Sequence, residues 1–135
     1  MKPEIKKTHI IPKKVLSRKD EITSDFLKLV EKHIDELMKG VAGKRYSATD
    51  FAGMLFIHPR HLTNTLKLTI NSSTCEIMEN RILNEAQQLL NETDLSIADI
   101  GLKFAFDEPT NFTKFFKGMA GITPLQYRKS QKNKV

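Results

Sequence analysis

An all-α fold of about seven helices, with two helix-turn-helix subdomains joined by a long central helix, is what this 135-residue sequence predicts. Three observations carry it: one plan is written twice, an uninterrupted helical stripe separates the copies, and no run alternates with the period of a strand. The copies begin at Ser47 and Ser96. Each opens S-x-x-D, passes a small residue at Ala52 or Gly101, and continues into a second helical segment that ends in Lys67 or Lys117. Asp50 matches Asp99 and Phe51 matches Ile100. After one additional residue in the second turn, Leu62, Thr63, Leu66 and Lys67 match Phe112, Thr113, Phe116 and Lys117.

Residues 1–22, lysine-rich and containing Pro3 and Pro12, lack periodicity and are expected to be a flexible basic leader or linker. A folded domain is expected over 23–131. Its first helix spans about 24–39, where Phe26, Leu27, Val30, Ile34, Leu37 and Met38 recur at helical spacing after Thr23-Ser24-Asp25, until Gly40 and Gly43 end the pattern. The first helix-turn-helix unit occupies 47–70, with helices near 48–56 and 59–69. Ser73 and Glu76 form a capping box that opens a bridging helix over 74–92, whose stripe is Ile77, Met78, Ile82, Ala86, Leu89 and Leu90. A helix of about 18 residues spans roughly 27 Å, enough to hold the two units apart. The second unit occupies 96–119, with helices near 97–104 and 109–118. Gly121 stops the last of these. Thr123 then caps a seventh helix, with Pro124 at its first position and Gln126 completing a capping box, before a tail over 132–135.

Net charge is +6, but it is segregated: residues 1–19 carry +6, residues 20–108 carry −6 and residues 109–135 carry +6. Acids are also absent from Phe51 through Cys75. Both acid-free windows coincide with the second helix of a repeat unit, where a polyanion would be repelled least. A lone basic run would read as solvated surface; coincidence with both repeats favours nucleic acid. No run approaches the length of a membrane span and the basic N-terminus lacks the apolar core of a signal peptide, so a cytoplasmic location and no membrane partner are expected. Cys75, the only cysteine, allows no internal disulfide and is expected to be a packed small hydrophobe. His58-x-x-His61 lacks a third ligand, and no phosphate loop, nucleophile motif or paired carboxylates appear. No enzyme, cofactor or metal is expected.

In a helix-turn-helix unit the first helix braces on the DNA backbone and the second lies in the major groove. Recognition of a longer site usually takes a dimer, whose two recognition helices meet successive grooves about 34 Å apart. Here Thr63 and Thr113 hold equivalent positions 50 residues apart in one chain. In the first unit Leu62 and Leu66 belong to the core, which leaves Arg60, Thr63, Asn64 and Lys67 outward. In the second, with Phe112, Phe115 and Phe116 apolar, Thr110, Asn111, Thr113, Lys114 and Lys117 remain polar. Arg can fork onto guanine, Asn can pair with adenine and Thr can meet thymine. Lys67, Lys117 and Arg128 suit phosphates, which set register and affinity. The competing reading is an all-helical protein-interaction module whose basic surface binds an acidic partner, with Phe112, Phe115 and Phe116 as an exposed docking stripe.

From about Ser47 to Arg128 the chain resembles the DNA-binding domain of the AraC family of bacterial transcription regulators. The specific part is R-I-L-N-E-A-Q-Q-L-L-N-E-T-D-L-S-I-A-D-I-G followed by F-A-F-D-E-P-T-N-F-T-K-F-F-K-G-M-A-G-I-T-P-L-Q-Y-R. The resemblance implies binding to double-stranded promoter DNA, and activation or repression through RNA polymerase. It places base contacts at Arg60, Thr63 and Asn64 in the first unit, and at Thr110, Asn111, Thr113 and Lys114 in the second. It also implies no small-molecule effector on this segment, and a separate sensing or dimerisation domain. The chain is accordingly read as the C-terminal part of a larger regulator, a stand-alone short form being the alternative. Three positions depart from the pattern. Phe56 and Ala105 stand where the turns often carry glycine, and Asn71 stands where the first unit usually ends in it; a reshaped first turn is expected at Phe56, and a mild change at Asn71, because Asn tolerates the left-handed conformation.

Overall fold

The computed structural model describes residues 17–133, within which the chain forms seven α-helices and no strand. Most of the predicted leader, residues 1–16, and the last two residues of the tail lie outside the described residues. The helices are α1 (Arg18–Met38), α2 (Ala48–Met54), α3 (Pro59–Ile70), α4 (Thr74–Glu92), α5 (Ile97–Lys103), α6 (Pro109–Ala120) and α7 (Pro124–Lys132).

Helix α1 begins earlier than the sequence pattern suggests. Ser17 is its N-cap and accepts a hydrogen bond from Asp20 N at 3.1 Å, so Ser17-Arg-Lys-Asp20 repeats the S-x-x-D start found at Ser47 and Ser96. The lysines around it hide this signal. Residues 18–22 are therefore helical rather than linker, and Ile22 and Thr23 are buried. Thr23 is no helix start: its hydroxyl donates to Lys19 O at 2.9 Å and meets Thr69 Oγ1 at 2.7 Å, tying α1 to α3. At the other end α7 takes in Lys132, leaving Asn133 as its C-cap.

The capping boxes at Ser73–Glu76 and Thr123–Gln126 form as the sequence predicts, and Ser47–Asp50 makes a third. Each satisfies two backbone donors at a helix start. Core packing follows the repeat. In the first half Phe26 of α1, Phe51 of α2, and Leu62 and Leu66 of α3 are fully buried, with the Phe26 and Phe51 rings edge-on at 5.3 Å. In the second, Ile100, Phe104, Phe112 and Phe116 close against Ala86 and Leu90 of α4, all with 1% exposure or less. Cys75 departs from expectation: it lies exposed in the first turn of α4, where partial burial and then Glu79 push its thiol pKa up, against reactivity.

His33, buried on α1, accepts a hydrogen bond from Tyr46 N through Nε2 at 3.0 Å and stacks on the Tyr46 ring at 3.7 Å. This pins the loop between α1 and α2. Burial pushes its pKa below the ordinary imidazole value of 6.5, outweighing Glu36 and Asp50, which pull the other way. The unfolded chain then binds a proton that the folded chain refuses. Stability should hold above about pH 6.5 and fall below it until the folded imidazole itself titrates. Chemical denaturation of the wild type and of His33→Gln across that range checks this: the substitution should flatten the acid-side slope.

Candidate nucleic-acid interface

Both units build their turns with the same hydrogen bonds. In the first, Phe56 N donates to Gly53 O and Ile57 N to Ala52 O; in the second, Ala105 N donates to Leu102 O and Phe106 N to Gly101 O, all within 3.0–3.2 Å. Phe56 and Ala105 both sit in the left-handed region, at φ 58° and 63°. The expected reshaping at Phe56 does not occur; the turn keeps its form and the residue bears the strain. Asn71, also left-handed at φ 50°, ends α3 as expected. The additional residue of the second unit falls between the turn and α6, at Asp107–Glu108.

The Phe56 side chain is 94% exposed, so it gains little packing in return for its backbone strain. A left-handed L-residue costs roughly 1–2 kcal/mol, and glycine's greater unfolded-state freedom takes back about 0.5–1 kcal/mol. Phe56→Gly should therefore stabilise the protein by about 1 kcal/mol, read as a rise of several degrees in melting temperature. An unchanged or lower value would show that the turn is not strained.

Helices α3 and α6 carry no acidic residue. At about 100° per residue, positions 60, 63, 64 and 67 share one side of α3, and positions 110, 113, 114 and 117 one side of α6. Arg60, Thr63, Asn64 and Lys67 are exposed, as are Thr110, Asn111, Lys114 and Lys117, while Thr113 is half-buried. Among the described residues none of these side chains has a hydrogen bond or ion pair with the protein, leaving their polar atoms free to meet a ligand. Asn111 stands at the edge of its face. Its counterpart is His61, also exposed, a position that aligning the two copies of the repeat would have singled out. Thr63 and Lys67 border a shallow hollow with Asn71, Ser72, Ser73 and Glu76 at the start of α4.

Arg128, which the sequence suggests as a phosphate contact, has partners within the protein. Its Nε donates to Leu90 O and its Nη2 to Thr93 O, both at 3.1 Å, closing the C-terminal end of α4, which has no basic residue in its own last turn. Of the two histidines, His58 is the N-cap of α3, its Nδ1 accepting from Arg60 N at 3.0 Å, and no cluster of three or more potential metal ligands occurs among the described residues. Nor do Phe112, Phe115 and Phe116 form an exposed docking stripe. Phe112 and Phe116 are fully buried, and Phe115 packs on Phe106 with ring centroids 5.4 Å apart. Among the described residues no helix is long and apolar enough to cross a membrane.

Comparison with known proteins places this geometry. A helix-turn-helix domain family matches residues 51–130. The transcriptional activator AarP of Providencia stuartii is 32% identical over 100 residues, which cover 72% of this chain and 74% of that protein. The arabinose operon regulatory protein of Escherichia coli is 24% identical over 95 residues, 70% of this chain but 32% of its own length. Two Bacillus subtilis transcriptional regulators also match, and the chain spans only 11% and 39% of them. Among solved structures, the C-terminal domain of AraT, a response regulator from Geobacillus stearothermophilus, superposes with a TM-score of 0.73 at 24% identity, covering 84% of this chain and 88% of that one. The DNA-binding domain of AdpA, solved with a target DNA, gives 0.68 at 17% identity, covering 79% and 92%.

Proposed function

Since the chain belongs to the AraC family of helix-turn-helix transcription regulators, we propose that it reads an asymmetric DNA site as a monomer, laying α3 and α6 into two successive major grooves on one side of the duplex. The family is one of sequence-specific DNA-binding regulators, not of enzymes. Double-stranded promoter DNA is thus the partner, contacted at bases by Arg60, Thr63 and Asn64 from α3, and by Thr110, Asn111, Thr113 and Lys114 from α6. Lys67 and Lys117 hold phosphates. The observation that carries this reading is the pair of equivalent faces, acid-free and without partners among the described residues, on the second helices of two units whose turns share the same hydrogen bonds. The 19 residues of α4 between them span about 28 Å, close to the roughly 34 Å repeat of the groove. Regulation through RNA polymerase, a cytoplasmic location and dimerisation of a parent protein through another domain follow from the same family reading.

Selection of bound sites from random double-stranded DNA at near-physiological salt tests it. Two short, unlike motifs about 10 base pairs apart are expected. One motif alone would reduce the reading to a single recognition helix, and salt-sensitive binding without enrichment would leave only phosphate attraction.

A further inference from the structure

Between the two units lies a cavity of about 560 Å³, walled by Arg45, Tyr46, Ser47 and Ala48 from the first unit, by Phe106 and Phe115 from the second, and floored by α4. The halves are therefore not sealed together by a continuous apolar core on this side. Two cations join the halves instead, Arg45 from the cavity wall and Lys103 from outside its lining. Arg45, in the loop before α2, donates Nη1 to Phe104 O at 2.7 Å and stacks its guanidinium 4.1 Å above the Phe106 ring. Lys103, in the last turn of α5, donates Nζ to Met38 O at 3.2 Å.

Both acceptors belong to helix C-termini, where carbonyls lack partners in their own helix and the helix dipole is negative. Phe104 is the C-cap of α5. Met38 ends α1, which has no basic residue in its own last turn. Each half of the chain thus supplies the cation that closes a helix of the other. Among the described residues no carboxylate forms an ion pair with Arg45, and burial draws its pKa down against the weaker pull of Asp107, so its position is held chiefly by the carbonyl, the aromatic face and the loop anchored on His33. Only arginine has a flat fork that donates and stacks at once.

We infer that Arg45 and Lys103 form a reciprocal lock that fixes the angle between the two helix-turn-helix units, and so the half-site spacing the protein accepts. The lock resists the rocking about α4 that the cavity would otherwise permit. It rests on the paired-groove reading for its effect on DNA, but not for its effect on the free protein.

The test replaces both cations, Arg45→Met with Lys103→Met, which keep apolar bulk. Binding is measured to sites in which the two selected motifs are separated by spacers varied around about 10 base pairs. The wild type should peak sharply at one spacing. The double variant should accept several, lose about 10-fold in affinity at the best one, and bind a single motif as before; such a loss is a small part of the roughly 10²–10⁴-fold that linking two binding units can give. Thr123→Ala, which removes the α7 capping box beyond the second unit and away from both cations, should lower stability without broadening the spacing. Arg45→Lys, retaining the charge but not the stacked fork, should fall between, and carries the test if the double variant does not fold. A spacing profile identical to wild type in a folded variant would overturn the lock. Residual dipolar couplings of the free protein separate the two readings: α3 and α6 should share one alignment frame in the wild type and lose it in the variant, whatever the DNA preference.

Discussion

Arg60→Ala combined with Lys114→Ala should weaken binding to the selected DNA site by roughly 100-fold while leaving thermal stability unchanged within about 0.5 kcal/mol. Both side chains are exposed and neither has a partner among the described residues, so removing them takes away no fold contact seen there. A good base contact contributes about 1–3 kcal/mol of discrimination. The two residues sit on different units and share no neighbour, so their effects should add, to about 3 kcal/mol or near 150-fold. Lys67→Ala should differ in kind. As a phosphate contact it should weaken specific and unrelated DNA alike and lower the slope of affinity against salt by about one. Fluorescence anisotropy at several salt concentrations, on the selected site and a scrambled one, separates the two patterns. If Arg60→Ala weakened both DNAs equally, Arg60 would be a phosphate residue and the first unit's specificity would rest on Thr63 and Asn64.

Local signals were legible in the sequence, and long-range ones were not. Capping boxes at Ser73 and Thr123 depend on residues three apart, so they can be read directly, and the apolar stripes that fill the two cores follow the helical period. The repeat located both candidate interface faces. What escaped involves partners far apart in the chain. Arg128 closes α4 across 35 residues or more, Arg45 reaches Phe104 across 59, and Lys103 reaches Met38 across 65. A basic residue looks the same in sequence whether it will meet phosphate or a carbonyl. Buried His33 also left no mark, because a lone histidine on an apolar helix face is indistinguishable from a surface one until the Tyr46 loop is seen to fold over it. The start of α1 was missed for a different reason: Ser17 and Asp20 form a proper cap inside a lysine-rich stretch whose composition suggests linker.

The second large effect should come from a position with no side chain at all. Gly101→Val is expected to destabilise the protein by about 3 kcal/mol or more and lower its melting temperature by roughly 10 °C. A Cβ at Gly101 would lie 2.9 Å from Phe112 Cβ and 3.1 Å from Phe112 Cγ. Phe112 is fully buried and its Cβ is fixed to the α6 backbone, so the ring cannot swing clear; α5 and α6 must part. Helix propensity works the other way, since alanine gains about 1 kcal/mol over glycine inside a helix. Overpacking of one methyl costs about 1–3 kcal/mol, so Gly101→Ala should be a near balance tipped toward destabilisation by about 1 kcal/mol, whereas valine adds two more methyls and a β-branched stem without further gain. The equivalent position in the first unit behaves oppositely. Ala52 is fully buried, so Ala52→Gly should lose both the methyl's burial, about 0.8 kcal/mol, and the helix propensity, for a total near 2 kcal/mol. Denaturant unfolding of the three variants decides whether the units share a plan but not a spacing. Equal costs for Gly101→Ala and Gly101→Val would mean that α5 shifts freely on α6, and that the tight contact does not set the pose of the second recognition helix.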